Sequence, residues 1–166
     1  MNNKTLINLL PLKTDRLTIK KTTINDIDLL LRIDKQEITQ AFLGRIKNKT
    51  KEERIEFLKN KENKSNSLTV YLNDIKIGFI NIDIIDNNAE LSYIFDCDYT
   101  NKGYCTEACK KLIEVLFNNI RINSISADIV KGNNSSKRVL EKLGFEYQNE
   151  TIKDDIIFLN YIIYNK

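Results

Sequence analysis

The chain of 166 residues contains no histidine and no tryptophan, one proline, one methionine, three cysteines and five glycines. Each scarcity excludes something. Without histidine there is no Ser-His or Cys-His nucleophile pair, and the commonest transition-metal ligand sets are missing. No metal is expected, and proton transfer has to use carboxylates, lysine, tyrosine, water or backbone. Cys97, Cys105 and Cys109 are odd in number and lack C-x-x-C spacing, so neither a disulfide framework nor a zinc site is favoured and a reducing, cytoplasmic setting is expected. No apolar run approaches the ~20 residues a spanning helix needs. The amino-terminal residues also lack the layout of a secretion signal, so no membrane partner is expected.

What is present is 42% hydrophobic and 30% charged residues, the composition of one globular domain, taken as residues 1–166. The net charge of +3 is too mild for a dedicated nucleic-acid binder, and aromatics are not interleaved with the cations, so no nucleic-acid partner is expected. The distribution of charge says more. From Ile77 to Asn101 there is no Lys or Arg but there are Asp83, Asp86, Glu90, Asp96 and Asp98. From Lys102 to Lys142 eight cations face four acids. Either these are ordinary solvated faces, or one segment suits a cationic partner and the next an anionic one.

Alternation in "RLTIK" reads as a first strand. A helix follows with Asn25 or Asp26 as cap, and Thr50 with Glu53 has the spacing of a capping box for a second, short helix. The polar stretch Lys59 to Ser67 reads as a surface loop. "LTVYL", "IKIGFINIDII" and "AELSYIF", separated by Asn73-Asp74 and "DNN" turns, form an antiparallel meander. From Gly103 to Phe117 the apolar period becomes helical, "ISADIV" is the next strand, and strand-helix-strand in this order implies a parallel pair. A further helix over Ser135 to Leu143 stops at Gly144 with Phe145 folding back, and the chain closes with a hairpin turning at "KDD". The expected order is β-α-α-β-β-β-α-β-α-β-β. This is an α+β fold: a mixed, mostly antiparallel sheet flanked by helices.

Gly103 opens a helix directly after an apolar strand. A helix amino terminus exposes unpaired N–H groups at the positive end of its dipole, and a glycine lets an anion approach them, with Lys102 adding charge. The plainer reading is that Gly103 relieves a tight turn. Neither G-x-G-x-x-G after a strand nor G-x-x-x-x-G-K-[ST] is present, so an anion here would be a pyrophosphate held by backbone amides.

"AELSYIF" leading into "YTNKGYCTEA", followed by "NNSSKRVLEKLGF", resembles the acetyl-CoA-binding core of the GNAT N-acetyltransferases. "LKTDRLTIK" resembles the opening strand of the branch that includes ribosomal-protein N-alpha-acetyltransferases. The resemblance runs from about Leu12 to the carboxyl terminus. It implies that the strands at Ala89 to Phe95 and Ile125 to Val130 splay apart, with the pantetheine arm of acetyl-CoA in the gap against the backbone of Phe95. It further implies that the main-chain amides of Asn101, Lys102, Gly103, Tyr104, Cys105 and Thr106 take the diphosphate. The family loop Q/R-x-x-G-x-G/A has Thr100, Gly103 and Cys105 in its slots, so only the glycine matches, and Asn101 stands where relatives often carry a further glycine. Cys105 is read as helix packing, not as a nucleophile, since acyl transfer in the family is direct.

Asn133 and Ser136 match the family's N-x-x-S, in which the Asn contacts the cofactor. The plainer reading is that an Asn and a Ser at a helix start are good caps and need no other purpose. The implied reaction moves an acetyl group to a primary amine, of a protein amino terminus or a small molecule. Glu90 is the candidate base, with Asp96 and Asp98 as rivals. The family's usual Tyr acid is replaced by Leu140, which leaves Ser136 or water as donor. A non-catalytic acyl-CoA sensor is the alternative, and either a monomer or a homodimer is compatible with the sequence.

Overall fold

The computed structural model describes residues 4–42, 49–64 and 66–166. Its strands are β1 (Leu12–Lys13), β2 (Leu17–Lys21), β3 (Asn66–Leu72), β4 (Ile75–Ile85), β5 (Asn88–Phe95), β6 (Ser124–Val130), β7 (Glu146–Lys153) and β8 (Ile156–Tyr164). The helices are α1 (Lys4–Ile7), α2 (Ile27–Asp34), α3 (Glu37–Phe42), α4 (Lys51–Lys64), α5 (Tyr104–Val115) and α6 (Asn134–Lys142). One sheet holds all eight strands in the order β1-β2-β3-β4-β5-β6-β8-β7. Every pairing is antiparallel except β5 with β6, which is the mixed architecture expected.

Alternation along the strands divides the core between two faces. Leu68, Val70, Ile80, Ile82 and Leu91 pack with Ala108, Leu112 and Leu116 on the α5 side. Phe79 and Ile94 point the other way, toward Leu29, Leu30 and Ile33 of α2 and Leu58 of α4. Each fully buried Leu or Ile adds about 1.5–3 kcal/mol.

Several local expectations are corrected. The helix after β2 is entered through Thr23, which accepts from the Asn25 amide at 3.3 Å while the Asp26 carboxylate accepts from the Thr23 amide at 2.9 Å. Asp26 does stand at the N-cap position of α2, but its carboxylate makes no cap bond there and accepts instead from the Thr23 amide, Thr69 and Tyr71. The Thr50/Glu53 capping box forms, but its helix continues to Lys64 through much of the segment read as a loop. That stretch has no Gly or Pro, its Lys and Glu are good helix formers, and Leu58 and the Arg54 fork on Asp34 anchor it to α2. The short α1, β1 and α3 were not expected, and α5 runs on through a π-helical turn, Leu116–Ile120.

The end of α6 follows the expected pattern: Gly144 lies at φ +87°, its amide reaches the Glu141 carbonyl, and the Phe145 amide reaches Leu140. The closing hairpin turns through Asp154 and Asp155, both at positive φ, as a two-residue hairpin turn of type I′ requires.

Asp96, just past β5, ties α2 and the turn after it to the end of β5. It is 1% exposed and accepts from Arg32 (2.5 Å), Gln36 (2.8 Å) and the Asp98 amide (3.1 Å). Burial opposes its charge, but these hydrogen bonds and the guanidinium outweigh burial and hold the carboxyl below its ordinary range. A lowered folded value means the stabilisation is complete above the unfolded value near ~3.9 and is lost as pH falls through the folded one. Asp96→Asn is therefore expected to cost on the order of 2 kcal/mol at pH 7. The deficit against wild type should shrink in acid, read by denaturant melts across pH 2–7.

Candidate active site

β5 and β6 share only three rungs, Asn88↔Ser124, Ala89↔Ile125 and Glu90↔Ser126. Beyond them β5 stays paired to β4 and β6 to β8, and the facing edges of Leu91–Phe95 and Ala127–Val130 part. A cleft of about 380 Å³ opens there, walled by those two stretches, the 99–106 loop, the start of α6, and Ile38 and Thr39 of α3. The Phe95 ring folds over Gly78, its partner on β4: a Cβ on Gly78 would lie 2.7 Å from that ring.

The loop beneath the cleft bends through two left-handed residues, Asn101 at φ +58° and Gly103 at φ +81°. Asparagine is among the few side chains that tolerate this region, so Asn101 can take the bend without a glycine. No side chain caps α5. Its first N–H groups have no intrahelical acceptor and lie at the positive end of the helix, a setting that suits an anion.

The structure brings most of the sequence-named residues to this cleft: Phe95, Asn101, Gly103, Tyr104, Cys105, Thr106, Asn133 and Ser136 all line it. Lys102 turns away, its ammonium donating to the Asp98 carbonyl at 2.8 Å and lying over the Tyr99 ring. Glu90 is exposed on the last shared rung, about 7 Å along β5 from the cleft-lining Ser92. Asp96 is committed to its hub and Asp98 is exposed on the loop outside the cleft wall.

Asn133 caps α6 through its oxygen, which accepts from the Ser136 amide at 3.1 Å; its own amide hydrogens are left over. Burial first, and then the neighbouring Cys109, push the Cys105 thiol well up, which keeps it protonated and inert at neutral pH.

Three features escaped the sequence reading. Tyr93 lines the cleft and donates to the Ser136 carbonyl at 3.2 Å, and burial raises its phenol so that it keeps its proton. Asp128, on the parted stretch of β6, also lines the cleft. Arg16, at the entry to β2, clamps the loop: Nε meets Glu107 at 2.6 Å, Nη1 donates to the Lys102 carbonyl at 3.2 Å, and the guanidinium lies 4.5 Å from the centre of the Tyr104 ring. Thr14 adds a 2.5 Å bond to Glu107. Burial opposes the charge of Glu107, but these partners prevail and hold the carboxyl below its ordinary range. Arg16 and Glu107 stand 91 positions apart, and nothing in local spacing joins them.

The sequence model of the acetyltransferase (GNAT) domain matches residues 16–146. The N-acetyltransferase p20 of Bacillus licheniformis, itself uncharacterised, is 27% identical over 146 residues, covering 81% of this chain and 82% of that protein. YdaF of Bacillus subtilis, provisionally named a ribosomal N-acetyltransferase, is 33% identical over 69 residues, which is 42% of this chain and only 38% of that protein.

Among solved structures, a GNAT-family acetyltransferase from Bacillus anthracis superposes with a TM-score of 0.83 at 22% identity, covering 92% of this chain and 97% of that one. The spermidine N-acetyltransferase of Vibrio cholerae, solved with CoA and spermine, gives 0.79 at 13% identity over 92% and 97% of the two chains. At such identities these structures attest the fold alone. With the family match spanning the strands, the loop and both helices that build the cleft, the chain belongs to the GNAT acetyltransferases.

Proposed function

We propose that this enzyme transfers an acetyl group from acetyl-CoA directly to a primary amine, of a protein amino terminus or of a small molecule. The observation that carries the reading is the parting of β5 from β6 directly above an uncapped helix start. One feature supplies a strand edge of unpaired peptide groups, and the other an anion site.

The residues present suit acetyl-CoA, which when bound supplies an acyl group activated as a thioester. The amides of residues 101–106 would hold the diphosphate, with Arg138 and Lys142 adding positive charge from the facing wall. The free edge at Phe95 would pair with the amide-bearing arm, and Asn133 has N–H groups to spare for it. A backbone N–H of the same edge serves the oxyanion, where fixed dipoles in a partly closed cleft act most strongly.

Glu90, from the closed end of the parting, draws the amine's proton away through water. Ser136, or a water beside it, returns a proton to the departing thiolate. The turn carrying Ser136 is steadied by Tyr93, and the usual tyrosine slot is filled by Leu140, which is fully buried in the core.

That missing tyrosine favours one other reading, a non-catalytic acyl-CoA sensor. Thiol release from acetyl-CoA with a panel of amines decides between them: CoA binding without turnover on any amine would establish the sensor.

Gly103→Val places a β-branched residue at positive φ with its Cβ 3.3 Å from an Arg16 nitrogen. It should weaken CoA binding by about tenfold or more, some 1.4 kcal/mol, with the fold retained. Unchanged affinity by calorimetry would remove the loop from the site. Glu90→Gln should lower kcat/KM by up to ~10²-fold, most at low pH where free amine is scarcest; a pH-rate profile that superposes on wild type would dismiss the relay.

A further inference from the structure

We infer that Asp128 is the residue that meets the acceptor: its carboxylate holds the incoming ammonium and takes the first proton from it. The inference rests on the acetyl-transfer reading of the cleft. Among the described residues, Asp128 is the one carboxylate in the cleft wall. Glu90 is outside the wall, Asp96 is neutralised by Arg32, and Asp98 sits on the loop. Histidine is absent and burial keeps the proton on Tyr93, which makes this carboxylate the natural proton acceptor of the wall.

Its orientation follows from the register. Ala127 and Ile129 point into the α5-side core, so Asp128 between them points to the opposite face. That face also carries Ser92, Ile94 and Glu90 of β5, since Glu90 pairs with Ser126 two residues before Asp128. It is covered by α2 and α4, and Ile38 and Thr39 of α3 complete the cleft wall. The anion-binding loop and α5 lie on the other side. An amine approaching from the side away from the diphosphate site therefore passes Asp128 before it reaches the gap.

The side chain is aimed. Asn160, its partner across β6 and β8, donates to the Asp128 carboxylate at 2.7 Å and to Thr151 at 3.3 Å. No Lys or Arg is paired with Asp128 in any ion pair found among the described residues, so its charge is available to a cationic ligand. A carboxylate held by a neutral donor and turned into a cleft has the arrangement of a base with its orienting group.

The step balances. The acceptor arrives as R–NH3⁺ and gives one proton to Asp128, which passes it to water by way of the Glu90 side of the cleft. The freed lone pair forms the N–C bond to the acetyl carbon and the C–S bond breaks. The second proton leaves the nitrogen as the amide forms, and the thiolate is protonated through Ser136 or water. The net products are the N-acetyl amide, CoA thiol and one proton.

The test uses the full chain with spermidine, an aminoglycoside and a peptide with a free amino terminus as probes. Asp128→Asn should lower kcat/KM for the preferred amine by ~10²-fold or more, displace the acid limb of the pH-rate profile, and leave the Kd for CoA and the melting temperature within about twofold and a few degrees of wild type. Asp128→Glu should restore part of the rate, which a purely structural role would not do. Unchanged kcat/KM in Asp128→Asn overturns the proposal, as does a loss matched by equal loss of CoA affinity, or a full effect from Glu90→Gln with none from Asp128→Asn.

Should the wild type bind CoA yet acetylate none of the three probes, calorimetry of the same amines on the CoA-loaded protein decides. Weaker binding of any of them to Asp128→Asn upholds the acceptor contact, and no difference defeats it. Failure of the wild type to bind CoA at all would defeat the acetyl-transfer reading, and the inference with it.

Discussion

The rung between Glu90 and Ser126 is the last that β5 and β6 share, and the rest of the site depends on its being the last. Unpaired backbone groups inside a protein are costly, so a sheet that parts in its middle needs both halves secured elsewhere. Here β5 is secured by β4 along its whole length and β6 by β8. Phe95, seated on Gly78, fills the space at the end of β5 from below. The parted edges face a cleft, not the core, and that is what makes them usable for recognition.

The anion site proposed at the start of α5 would carry a liability of its own. Glu107 lies in the first turn of α5, where a carboxylate suits the helix dipole but would repel a diphosphate. Arg16 and Thr14 remove that conflict by claiming both carboxylate oxygens, and the same guanidinium holds the Lys102 carbonyl and stacks on Tyr104. One side chain at the entry to β2 thus neutralises the wrong charge and steadies the loop backbone before α5. Lys102, the cation nearest in sequence, does neither; its ammonium is spent on Asp98.

Much of this was legible in the residues because it is local. Alternation found the meander, the change of period found α5, and Gly144 with Phe145 announced the end of α6. The readings that failed did so where local rules compete. Lys59 to Lys64 is polar enough for a loop, yet it has no helix breaker and is anchored by Leu58 and Arg54, so the helix continues. The cleft's loop residues could be named from Gly103 and its neighbours, since an anion site at a helix start is a property of consecutive residues. Arg16, Tyr93 and Asp128 could not be found that way. Arg16 matters through a partner 91 positions distant, and Tyr93 and Asp128 matter because of where β5 and β6 part, a property of the sheet and not of either strand.

The two charge blocks of the sequence acquire a meaning once the faces are known. Asp83 and Glu90 are paired across β4 and β5 and so share a face, and Asp128 joins it from β6 by register. All three are exposed. Arg138 and Lys142 line the cleft from α6, which packs on the opposite face with Leu140 in the α5-side core. Within the cleft wall, therefore, the cations Arg138 and Lys142 come from the α5 side of the sheet and the carboxylate of Asp128 from the other. Under the proposed reading, an anionic cofactor and a protonated amine would enter one cleft from opposite sides and meet at the gap between β5 and β6.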